Sequence, residues 1–167
     1  MIIIAVIVFT VFIIIAHIFA PEGYNWKAET VSRLADQGHP YAWILRTGMI
    51  AYGIILIAST TNISFTSILI AAYGLGVLTT GIFTVEKYER IHMFSIYAAG
   101  TALSVAMVRH AIAGSIVSII CLTFMIAAEL VFNIKAFSRW RGVSQRAVHL
   151  STLIWLAALP FDKISGI

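Results

Sequence analysis

The sequence predicts an all-α integral membrane protein: a six-transmembrane-helix bundle with a short interfacial helix between helices one and two. Three observations carry this. Of 167 residues, 60% are hydrophobic and only 11% are charged, far from the balance of a soluble domain. The mean hydropathy is +0.97 over the whole chain. The apolar residues fall into six runs, each near the roughly 20 residues that cross about 30 Å of hydrocarbon. Residues 1–167 read as a single membrane domain, because no loop is long enough to fold alone. The formal net charge of +4 gives no ground for a nucleic-acid partner. The single cysteine, Cys121, excludes an intramolecular disulfide.

The expected helices are residues 2–19, 41–60, 64–83, 91–108, 112–134 and 145–161. The first run, "MIIIAVIVFTVFIIIAHIFA", lacks the basic residues and small-residue cleavage site of a secretion signal, so it reads as a retained helix. Helices two and three are joined by the short "TNIS" turn. Residues 91–134 are too long for one crossing, so a break is expected at Arg109-His110, ahead of Gly114 and Ser115. Ala72, Gly76 and Thr80, and then Ala98, Ala102 and Ala106, form small-residue stripes at i, i+4. Such stripes let helix backbones approach in lipid, where no hydrophobic drive pulls helices together. A homodimer face is the alternative use.

Between helices one and two lies the polar stretch "YNWKAETVSRLADQGHPYAW". Residues 26–37 are expected to form the interfacial helix, with Asn25 as N-cap and with Gly38 and Pro40 ending it. Ala28, Val31, Leu34 and Ala35 would be its apolar stripe, with Glu29–Arg33 and Ser32–Asp36 pairs on the other side. Tyr24, Trp26, Tyr41 and Trp43 flank it, and such rings prefer the headgroup level.

Charge gives an orientation. Loops one, three and five and their edges hold Lys27, Arg33, Arg46, Lys87, Arg90, Lys135, Arg139, Arg141 and Arg146, against Arg109 and Lys163 on the other side. The positive-inside bias places those loops in the cytoplasm and both termini outside, in a multi-pass protein of the cell membrane.

With that topology His17, His92, His149 and Glu129 share one membrane half with Ser32, Arg33, Asp36 and His39 of the loop. Ionisable groups at membrane depth are costly and suggest a site. Arg33, Arg46, Lys87 and His39 are the candidates for binding a ligand. His92, His149, Glu129, Asp36 and Ser32 are the candidates for catalysis. No cofactor is expected. The alternative is zinc, held by His17, His92 and His149, but no HxxH, HxxxH or HExxH spacing is present.

Three segments resemble a known family. "GYNWKAETVSRLADQGHPYAWILRTGMIAYGIIL" is similar to the first motif of the six-helix membrane family catalogued as domain-of-unknown-function 998, matched at Tyr24, Asn25, Val31, Ser32 and Leu34, with Ala35 in place of the usual glycine. "GIFTVEKYERIHMFSIYAAG" resembles its second motif at Gly81, Phe83 and His92. "RGVSQRAVHLSTLIWLA" resembles its third at Gly142, Gln145, Arg146 and Trp155. That family looks distantly similar to the Frag1/DRAM/Sfk1 six-helix group, which implies a lipid-related role. Its members commonly begin with basic residues, whereas this chain begins "MIII". An orientation following the family would turn the polar cluster outward.

Three functions are compatible with this reading. The first is a non-catalytic bundle that binds or senses a membrane lipid or other amphiphile at a polar site on one face. The second is an intramembrane metal-dependent lipid hydrolase. The third is an accessory subunit, or a homodimer, within a larger membrane complex.

Overall fold

The computed structural model describes residues 1–36, 38–61 and 63–161. Gln37, Asn62 and Lys163 lie outside the described residues. They belong to the expected interfacial helix, to the "TNIS" turn and to the weakly basic side. Among the described residues there are six α-helices, three short 3-10 segments and no strand. The helices are α1 (Ile2–Ile18), α2 (Ala42–Ser59), α3 (Phe65–Ile82), α4 (Val85–Ile112), α5 (Ile116–Asn133) and α6 (Arg141–Ala158). The 3-10 segments are Val31–Ala35, Lys135–Trp140 and Leu159–Phe161. Helices α2, α3, α4 and α5 are long and apolar enough to cross a membrane. Helix α1 is apolar but has 17 residues, and α6 opens with the polar run "RGVSQR".

The chain divides into two compact units, Met1–Ala20 with Leu34–Ala106, and Pro21–Arg33 with Met107–Ile167. In the first, glycines set the helix spacing. An added Cβ at Gly53 would come within 2.5 Å of the Gly74 carbonyl oxygen, and one at Gly76 within 2.6 Å of the Ala99 Cβ. Backbone therefore packs directly on backbone between α2 and α3, and α3 meets α4 at a small-residue contact. The buried ring stack of the unit joins Phe9 to Tyr52, with centroids 4.5 Å apart, and Tyr73 meets Tyr52 edge-on at 6.1 Å. Gly76, Thr80, Ala102 and Ala106 are buried, while Ala72 and Ala98 are exposed.

In the second unit α5 and α6 pack together around a buried polar contact. The indole Nε1–H of Trp155 donates to the Ser118 hydroxyl at 2.8 Å, and both residues are buried. Trp155 also meets His110 edge-on at 5.7 Å.

The structure departs from the sequence expectation mainly in two places, around α4 and over residues 26–37, and α6 lies about one turn earlier, at Arg141–Ala158 against 145–161. Helix α4 runs through Arg109 and His110 to Ile112, since neither residue stops a helix. The chain turns at Gly114, whose φ of +95° suits only glycine, and Ser115 then caps α5 by accepting from the Ser118 N–H at 3.3 Å. Helix α4 also starts early, at Val85, and is interrupted at Tyr88 (φ −134°, ψ 48°).

The expected helix over 26–37 is the second difference. The segment forms one turn, with the Ala28 and Glu29 N–H groups donating to the Asn25 carbonyl at 3.0 and 2.7 Å, and then the 3-10 segment Val31–Ala35. Three residues of its expected apolar stripe, Val31, Leu34 and Ala35, are buried, and Ala28 is partly buried. The helix does not propagate because its backbone groups bond to α6.

Candidate functional site

The first turns of α6 hold the loop that contains that segment. Arg146 reaches back with Nη1 to three carbonyl oxygens: Trp26 at 2.7 Å, Gly142 at 2.8 Å and Glu29 at 3.1 Å. Its Nη2 donates to the Tyr24 hydroxyl at 2.6 Å. That hydroxyl in turn donates to the Thr30 carbonyl at 3.1 Å. Gln145 uses both ends of its amide. Its Oε1 accepts from the Val31 N–H at 2.5 Å, and its Nε2 donates to the Ser32 hydroxyl at 3.2 Å. The Val143 N–H donates to the Lys27 carbonyl at 3.2 Å.

The glycine between these groups is required by space. A Cβ on Gly142 would run into the carbonyl oxygens of Glu29 and Trp26. The planar guanidinium fork suits this task, since it serves several acceptors from one fixed plane. Burial raises the Tyr24 phenol above its ordinary range, with Arg146 beside it acting in the opposite direction. The result is a strap of main-chain and side-chain bonds that fixes residues 24–32 against α6. Four atoms of Arg146 and Gln145 and one backbone N–H make it.

A second set of polar residues closes the C-terminal end of α3. Arg46 donates through Nε to the Gly81 carbonyl at 3.1 Å and through Nη2 to the Ile82 carbonyl at 3.4 Å. His92 Nδ1 lies 2.7 Å from the Phe83 carbonyl. A carbonyl only accepts, so this nitrogen donates, and in a neutral imidazole the lone pair falls to Nε2. Three carbonyls that the helix end leaves open thus receive donors, and the Arg46 charge faces the negative end of the helix dipole. His92 Nε2 and the neighbouring Thr84 hydroxyl are buried without a hydrogen-bond partner among the described residues.

The residues expected to form one site are distributed as follows. Ser32, Arg33, Glu129 and His149 belong to the second unit; His17, Asp36, His39, Arg46, Lys87 and His92 belong to the first. Glu129 is exposed on α5, where the Asn133 amide donates to its backbone carbonyl at 2.8 Å and not to its carboxylate. His17 Nδ1 is satisfied by the Ile13 carbonyl, 2.7 Å away on its own helix. Arg33 is exposed and forms an ion pair at 3.9 Å with Glu29. Lys87 is exposed, its Nζ 5.4 Å from the Tyr88 ring centroid. Asp36, His39 and His149 are partly buried. No three His, Cys, Asp or Glu side chains gather as metal ligands would among the described residues.

Sequence reasoning treated Arg146 as a loop cation and gave Gln145 and Gly142 no task beyond the motif. It did not single out Ser118. The one signal available was the spacing G-x-x-Q-R at a helix start, which places the glycine and the arginine one turn apart on one face.

Apolar spans of this length and number, with polar side chains committed to backbone groups at helix ends, define an all-helical membrane protein. Residues 3–162 match the family described as "protein of unknown function (DUF998)", and the chain belongs to it. No curated protein and no solved structure matches the chain. The family-like positions of the first and third motifs, Tyr24, Val31 and Ser32 with Gly142, Gln145 and Arg146, are those that build the strap.

Proposed function

We propose that the chain is a six-span bundle that binds a lipid or another amphiphile at one membrane face, without chemistry of its own. Helix α1, at about 1.5 Å per residue, still covers most of the hydrocarbon. Helix α6 can place its polar start at the interface and its apolar remainder in lipid. The positive-inside bias puts loops one, three and five in the cytoplasm and the termini outside.

The observation that carries this reading is a division of labour within the loop. Ser32 and the backbone of residues 26–31 are tied to α6, while Trp26, Lys27 and Arg33 stay at the surface. A rigid loop with an interfacial ring and cations is suited to receiving a headgroup. It does not provide an activated nucleophile, because Ser32 faces an amide and not a base. Lipid retained by the purified protein, read by native mass spectrometry after detergent exchange, tests this. The Lys27→Ala/Arg33→Ala variant should lose bound lipid at an unchanged melting midpoint. Absence of co-purifying lipid from the parent protein would overturn the proposal.

One atom favours the hydrolase as a second reading. His92 Nε2 presents a buried lone pair, the form in which imidazole binds zinc. Elemental analysis of the parent protein beside a His92→Ala/His149→Ala variant separates the two. Stoichiometric zinc lost in the variant would promote catalysis.

A further inference from the structure

The segment joining α5 to α6 carries a feature that the strap does not use. From Asn133 to Arg141 every side chain is exposed. Lys135, Arg139 and Arg141 alternate there with Phe137 and Trp140, which are 44% and 41% exposed. The sequence contains no acidic residue between Glu129 and Asp162, so these cations have no partner within their own segment. Among the described residues no ion pair is found at Lys135, Arg139 or Arg141. The strap adds to the same end of the unit. The bond from the Val143 N–H to the Lys27 carbonyl holds Trp26 and Lys27 beside the start of α6, both side chains exposed.

Exposed rings alternating with unpaired cations are a poor surface for water alone. They match a bilayer interface, where rings lie among glycerol and acyl-chain ends and cations meet phosphate. The position agrees, since Lys135 follows two residues after α5, a helix long and apolar enough to cross the membrane, ends at Asn133. Arg141 is steadied by the Phe132 ring, 5.9 Å from its guanidinium carbon, which fixes the charge at the rim of the helix pair.

We infer that Lys135, Arg139 and Arg141, with Trp26, Phe137 and Trp140 between and beside them, form a collar that selects anionic phospholipid headgroups from the bilayer. The inference rests on the lipid-binding reading for its ligand class and assigns that ligand to three cations the reading does not use. Each cation near an anionic membrane surface is worth about a fivefold change in partition. Three together suffice for clear selection against zwitterionic lipid.

The test is the composition of lipid carried by the protein from nanodiscs of equimolar phosphatidylglycerol and phosphatidylcholine, measured by native mass spectrometry. The parent protein should be enriched in phosphatidylglycerol, and Lys135→Gln/Arg139→Gln/Arg141→Gln should lower that enrichment by about tenfold or more. Arg139→Lys/Arg141→Lys, which keeps the charge, should preserve it. Raising the salt on the parent protein should erode the enrichment, and this arm stands even where the triple variant fails to fold. Enrichment that resists salt, or that survives in a folded triple variant, overturns the collar. Lipid retained without preference for either headgroup overturns the collar and leaves lipid binding intact. No retained lipid at all overturns both.

Discussion

Arg146 and Tyr24 lie 122 positions apart and meet at 2.6 Å, guanidinium Nη2 to phenol oxygen. The same arginine takes the carbonyls of Trp26 and Glu29, so one side chain on the last helix organises the first loop. A charged donor with several good acceptors contributes more than a neutral bond, and its removal leaves those acceptors to find water or go unmet.

Arg146→Ala should therefore lower stability by about 3 kcal/mol. It should also open residues 24–30 to protease, with thermal unfolding in detergent and cleavage mapping as the two measurements. Arg146→Lys should restore only part of the loss, because an ammonium cannot serve three carbonyls and a phenol from one plane. Equal behaviour of the alanine and lysine variants would mean that charge alone, and not the fork, does the holding.

Gly142→Ala adds only a methyl group, yet it would drive that methyl into the Trp26 and Glu29 carbonyls. The expected cost is about 2 kcal/mol or more, against the small gain alanine usually brings to a helix. A stabilised Gly142→Ala protein would show that the loop stands further from α6 than described.

Alkaline pH should loosen the strap. The Tyr24 phenol is raised above its ordinary value by burial. Its stabilising contribution is thus complete below about pH 10, the unfolded tyrosine value. It declines as pH rises from there through the higher pKa of the folded protein, because the unfolded chain releases the proton first. Tyr24→Phe should flatten this part of the stability profile, followed by thermal unfolding across pH, at a cost of about 1 kcal/mol at neutral pH from the lost hydroxyl bonds.

Trp155→Phe removes the indole donor to Ser118 and leaves a buried hydroxyl short of one partner. A loss of about 1–2 kcal/mol is expected. Ser118→Ala in the Trp155→Phe background should cost less than it does alone, since only its bond to the Ser115 hydroxyl at 3.0 Å is then left to lose. An additive double variant would separate them.

Much of the fold was legible because lipid imposes it. Long apolar runs admit few states, and the expected bounds of the second and third helices differ from α2 and α3 by one residue at each end. The break between α4 and α5 was placed some residues early, at the charged pair, although only Gly114 has a conformation that turns the chain. The segment 26–37 misled for another reason. Its capping residue, apolar stripe and i, i+4 pair are genuine helix signals, but they compete with donors over a hundred positions away. Arg146, Gln145 and the Val143 N–H outbid the local hydrogen bonds of Trp26, Glu29, Lys27 and Val31. Nothing near those residues in sequence announces this. The polar side chains were read as a shared pocket because each stood out from its apolar run. Three of them instead donate to a carbonyl nearby in the fold: Arg46 to Gly81, His92 to Phe83 and His17 to Ile13.

The separation that joins Tyr24 to Arg146 has a consequence for how the protein is made. Loop one leaves the ribosome while α6 is still untranslated, so the Trp26 and Glu29 carbonyls and the Val31 N–H must wait in water through the insertion of four helices. The first loop is consequently among the last parts to reach its final form. A chain halted before Arg141 lacks every hydrogen-bond partner that α6 supplies to the loop.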